Sequence, residues 1–127
     1  MKYFDNDSLA ATTWINKYAM RDKEGNLVEQ TPDDMHRRLA KAFATKEEHY
    51  RYKVDNKNWS KLSEYGYKRE ELTEEKIFNL FKDFKTLIPA GSVMSGLGTG
   101  KPVSLSNCFV LPSPLDSYSS IMITRLN

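Results

Sequence analysis

Ser92–Asp116 reads SVMSGLGTGKPVSLSNCFVLPSPLD, and the rest of the chain is organised around it. It holds Cys108, the only cysteine, together with Gly96, Gly98 and Gly100 and the prolines Pro102, Pro112 and Pro114. Gly96-Leu97-Gly98-Thr99-Gly100-Lys101 has the look of a phosphate loop but not its spacing. A Walker A motif requires glycine where Ser95 stands and Ser or Thr where Pro102 stands. These glycines read as a loop. Val103–Leu111 reads as a strand: its first part alternates, and Phe109-Val110-Leu111 is continuously apolar, as in a strand covered on both faces. Pro112 and Pro114 end it. A cysteine in such a strand is either a small buried hydrophobe or a reactive thiol, and the polar neighbours Ser106 and Asn107 leave both readings open.

Charge divides the chain. Beyond residue 85 the only charged side chains are Lys101, Asp116 and Arg125. A tail rich in Ser, Gly and Pro and this poor in charge reads as chain to be buried against something larger. The first 85 residues read as a charged helical support. Asp7 or Ser8 caps a first helix over residues 7–19, with Ala11, Trp14, Ile15 and Tyr18 on one face. The polar turn around Gly25 leads to a brief strand at Leu27-Val28. Thr31-Pro32-Asp33-Asp34 starts a second helix, with a capping threonine, a first-turn proline and two acids at the positive end of the dipole. Its apolar side carries Met35, Leu39, Ala42, Phe43 and Tyr50, and His36 and His49 read as solvated. Thr73 opens a further helix with Ile77, Leu80, Phe81 and Phe84 on its core face.

Several classes fall away on composition. A net charge of +2 is too balanced for a nucleic-acid or anionic-membrane binder. Residues 51–72 mix Trp59, Tyr65 and Tyr67 with Lys and Arg, but Asp55, Glu64, Glu70 and Glu71 dilute the charge, so irregular or short-helical packing is the reading there. No apolar run is long enough to span a bilayer, and the N-terminus lacks the core of a secretory signal. No His and Cys stand at metal-ligand spacing. The single cysteine fits a reducing, cytoplasmic setting.

Taken together, Ile88-Pro89-Ala90-Gly91-Ser92-Val93-Met94-Ser95-Gly96, Ser104–Leu111 and Asp116-Ser117 resemble the catalytic (large) subunit of ribonucleotide reductase. Trp14–Tyr18 and Thr31–Ala40 are similar to its N-terminal helical domain. The resemblance implies a mainly α N-terminal helical domain over residues 1–88. Residues 89–127 then begin an incomplete ten-stranded α/β barrel with its first strand. The expected protein is the N-terminal part of a ribonucleoside-diphosphate reductase, inactive without the remaining large-subunit polypeptide. The resemblance implies that Cys108 is one of two redox thiols. Gly91 and Ser92 fall in the lead-in that binds substrate phosphates, and Ser106 and Asn107 by the substrate ribose. Asp116 and Ser117 match the start of the site for dNTP or ATP effectors, which makes the complete enzyme allosteric. Further implied partners are a second copy, forming a homodimer when complete, and a radical-generating small subunit containing metal. Adenosylcobalamin is the other radical source used in the family, and neither is expected on this chain. The rival reading is a non-catalytic helical module, or a decayed remnant, docking on a partner protein.

Overall fold

A computed structural model describes residues 2–54 and 63–126. The described elements are helical: α1 (Ser8–Lys17), α2 (Pro32–Val54), α3 (Glu64–Lys68), α4 (Glu74–Phe81), α5 (Gly91–Gly96) and α6 (Tyr118–Leu126), with 3-10 turns at Lys2–Phe4 and Lys82–Phe84.

The caps that the sequence announces are built. Asp7 accepts from the Ala10 N–H at 3.0 Å and starts α1. At the head of α2 the Asp34 carboxylate turns back to accept from the N–H groups of Gln30 (3.0 Å) and Thr31 (2.8 Å). Burial pushes that carboxyl up, but these bonds outweigh it and hold it below the usual range. Thr73 caps α4 by accepting from the Lys76 N–H.

The core is the seam between α2 and α4, closed by α1 and α5. Met35, Leu39 and Ala40 of α2 meet Ile77, Phe78 and Phe81 of α4, with Trp14 and Met94 packed on either side. Above this seam Arg37 lies 3.6 Å over the Phe78 ring and pairs with Glu75. The core therefore extends past residue 88, because Met94 and Leu97 still pack on it.

Four expectations are corrected. First, Val103–Leu111 forms no strand. It pairs with nothing among the described residues, and Val110 is fully exposed. A barrel strand takes its backbone hydrogen bonds from neighbouring strands, and the described residues supply none. Second, Leu27 makes only an isolated bridge to Arg21 rather than a strand. Third, α4 stops at Phe81, and Asp83 and Phe84 take positive φ angles of 57° and 54°. Phe78, not Leu80, completes the buried face. In residues 51–72 a short helix, α3, does form, but its Tyr65 is exposed rather than packed, and Trp59 lies outside the described residues.

The fourth correction is His36, which is fully buried rather than solvated. Its ring stacks on Phe81 at 6.2 Å and meets the edge of Phe84 at 4.6 Å. Both ring nitrogens lack a hydrogen-bond partner among the described residues, and the Asp33 carboxylate stands 3.7 Å from Nδ1. Burial holds the imidazole below its ordinary pKa, against the weaker pull of Asp33, Asp83 and Glu29. The unfolded chain then takes up a proton below about pH 6.5, before the folded chain does. The stability held above that pH drains away as pH falls through the folded value. The urea midpoint is therefore expected to drop between pH 7.5 and 5.5. His36→Phe keeps a flat ring among the aromatics and is expected to flatten that dependence. An unchanged slope in the variant would show that another group carries it.

Candidate functional site

The site expected from sequence begins where α5 leaves the core. Gly91 rests on the Tyr18 ring, where a Cβ would stand 3.5 Å from Cε1 and from Oη. Gly91 and Ser92 thus form the first turn of a short helix rather than a free loop.

What holds α5 in place is a buried ion pair. Glu29 and Arg38 have side chains only 5% and 9% exposed, and Arg38 Nε donates to Glu29 Oε1 at 2.6 Å. Glu29 also accepts from the Met20 N–H at 2.8 Å. The Arg38 guanidinium donates onward to the Met94 carbonyl at 2.8 Å and to the Leu97 carbonyl. These are the free carbonyls at the C-terminal end of α5, where the helix dipole favours a cation. Gly98 completes the contact. It has φ +77°, and a Cβ there would lie 2.8 Å from Arg38 Cγ. The glycine segment expected as a loop is docked on α2 at this point.

Ser92 reaches across to the tail. Its hydroxyl donates to the Leu105 carbonyl at 2.7 Å. Beside it, a Cβ on Gly96 would stand 2.6 Å from Val103 Cγ2. Residues 103–105 therefore lie against α5, and Ser92 comes next to the segment that carries Ser106, Asn107 and Cys108. The Ser106 N–H is taken up by Ser104 Oγ at 3.2 Å. Cys108 is exposed, contrary to the buried-hydrophobe reading. Asp116 is exposed as well. The Ser117 hydroxyl accepts from the Ser120 N–H at 3.2 Å and so starts α6. The structure joins Ser92 to Leu105, while Gly91 packs on Tyr18. Among the described residues no hydrogen bond links them to Asp116 or Ser117.

The Glu29–Arg38 brace carried no sequence signal. Its partners are nine residues apart across a turn, and although Arg38 lies within the Thr31–Ala40 string, nothing in that string marks Glu29 as its partner. Among the described residues no group of His, Cys, Asp and Glu is gathered for a metal ion. No helix among them is long and apolar enough to cross a membrane.

These observations define an all-helical domain whose last core helix hands the chain to an irregular serine-rich segment. Residues 4–102 match the family described as ribonucleotide reductase, all-alpha domain. The chain belongs to this family, to the N-terminal region of the ribonucleotide reductase large subunit. The match takes in Gly91 and Ser92 and stops before Ser106, Asn107, Cys108, Asp116 and Ser117. No curated protein and no solved structure matches the chain.

Proposed function

We propose that this chain is the part of a ribonucleoside-diphosphate reductase that carries substrate phosphates and the first redox thiol into the catalytic barrel. Supporting this is the Ser92–Leu105 hydrogen bond, which brings a helix within the family match next to the Ser106-Asn107-Cys108 segment beyond it. In this reading Gly91 and Ser92 face the phosphates, Ser106 and Asn107 the ribose, and Cys108 supplies reducing electrons. The substrate 2′-hydroxyl leaves as water. Two thiols give up two electrons and two protons and end as a disulfide. Cys108 is the only cysteine here, so its partner thiol comes from further polypeptide. Asp116 and Ser117 begin the effector site. The radical source, a metal-containing small subunit or adenosylcobalamin, supplies the initiating radical and is held elsewhere in the assembly.

The exposed tail fits an unfinished assembly. Phe109, Val110, Leu111, Leu115 and Tyr118 are all at least half exposed, which is costly surface unless it is covered. The same exposure also suits the second reading, a helical module docking on a partner protein. One experiment separates them. The chain is combined with a polypeptide supplying the rest of the barrel, the radical source, a dithiol and a nucleoside diphosphate. Deoxynucleotide formation is expected from the combination and from neither polypeptide alone. A stable complex that forms no product would favour the docking module.

A further inference from the structure

The 3-10 turn Lys82–Phe84 closes over His36, and the closure is finely balanced. Phe84 sets the edge of its ring against the imidazole, with the ring centroids 4.6 Å apart, while its backbone holds φ at 54°. Positive φ is ordinary for Asp83 but an outlier for a bulky aromatic residue, so the strain sits on the residue that covers the histidine. Beneath it His36 is fully buried with both ring nitrogens unpaired among the described residues, a second cost of closure. Against these stands a hydrogen bond from a distant part of the chain. The Tyr3 hydroxyl accepts from the Asp83 N–H at 2.9 Å and donates to Asp33 Oδ1 at 3.2 Å.

A proton on His36 upsets this balance, because it gives a sealed ring a charge and a second N–H donor. The acids facing it are Asp33 on its own helix, Asp83 on the turn and Glu29 ahead of α2. Asp33 stands 3.7 Å from Nδ1 and already accepts from Tyr3. The cations around them act elsewhere: Arg37 and Lys82 on Glu75, Arg38 on Glu29, and Lys85 on Asp83. Burial pushes the Tyr3 hydroxyl up to about 12, so it keeps its proton throughout the acid range. Phe81 of α4 brings only an apolar ring. Burial already holds the imidazole below its ordinary pKa, so the charged form is satisfied best by water. We propose that the Lys82–Phe84 turn is an acid-operated latch: protonation of His36 lifts Asp83 and Phe84 off the ring while the α2–α4 seam stays packed. The latch opens one turn of the fold and does not rest on the reductase reading.

An NMR titration of the 127-residue chain from neutral pH into the acid range tests it. The His36 ring proton is expected to titrate with a midpoint below about 6.5. The nuclear Overhauser contact between the His36 and Phe84 rings is expected to vanish, and the Asp83 and Phe84 amide peaks to shift, with that same midpoint. The dispersed peaks of Ile77 and Met94 are expected to persist, because the core stays closed. His36→Phe is expected to remove the acid step at Asp83 and Phe84. Tyr3→Phe deletes the bond to the Asp83 N–H and keeps the ring. It is expected to raise the ring and turn midpoints together, and it tests the latch even if the His36 variant does not fold. A His36–Phe84 contact that persists in the protonated form would overturn the inference. So would an acid step retained in His36→Phe, midpoints that separate in Tyr3→Phe, or loss of the Ile77 and Met94 peaks along with the contact.

Discussion

Arg38→Ala is expected to cost the fold about 3–5 kcal/mol, the range seen when one member of a buried ion pair is removed. The loss has three sources. Glu29, 4% exposed, is left as a buried carboxylate without its cation. The carbonyls of Met94 and Leu97 lose their donor at the end of α5. Gly98 loses the side chain that it packs against. Domains of this size are stable by only about 5–15 kcal/mol, so the variant would sit close to unfolding. Its urea midpoint should fall by roughly 2 M, given ordinary denaturant slopes. Arg37→Ala is the matched control, one residue away. Its pair with Glu75 is 45% and 62% exposed, and solvent screening leaves a surface pair of this kind contributing little. Glu29→Leu with Arg38→Met should recover part of the loss by removing both charges, but not the carbonyl contacts. Similar midpoints for Arg38→Ala and Arg37→Ala would show that the brace is dispensable. Amide exchange should quicken first in α5, which links the brace to the position of Ser92.

Cys108→Ser is expected to reduce dithiol-driven turnover of the reassembled reductase to background while leaving nucleotide binding nearly unchanged. A hydroxyl is close to a thiol in size, so the phosphate and ribose contacts proposed for Ser92, Ser106 and Asn107 should persist. It cannot replace the sulfur, because a disulfide needs two sulfurs to store the two electrons. The exposure of Cys108 suits this role, since an inert structural cysteine is a buried one. Equilibrium binding and steady-state rate, measured on one preparation, separate a redox role from a structural one. Full turnover in the variant would remove Cys108 from the chemistry. Loss of binding together with rate would make it a packing residue.

Much of the fold could be read directly from the chain. Asp7, Thr31 and Thr73 mark helix starts because a side-chain oxygen beside unpaired N–H groups is a local solution, fixed within four residues. Trp14, Met35, Leu39, Ile77 and Phe81 follow from helical period alone. The family resemblance rested on linear strings, and the match over residues 4–102 agrees with it. His36 reads as solvated because its neighbours Arg37 and Arg38 make the local sequence polar. Its burial comes from Phe81 and Phe84, more than forty residues on, which close over it.

By itself the sequence determined the helical domain, its caps, most of its core and its family. These depend on contacts within a turn or two of the chain and on motif spacing. Only the tertiary structure decided that Glu29 and Arg38 form a buried brace, that His36 is sealed between Phe81 and Phe84, and that Ser92 meets the Leu105 carbonyl. It also decided the state of Ser92–Asp116. The amphipathic pattern of Val103–Leu111 encodes a preference for pairing, but a strand exists only where another strand accepts its hydrogen bonds. In this chain Val103–Leu111 lies irregular and exposed beyond α5, held at Ser92 and Gly96.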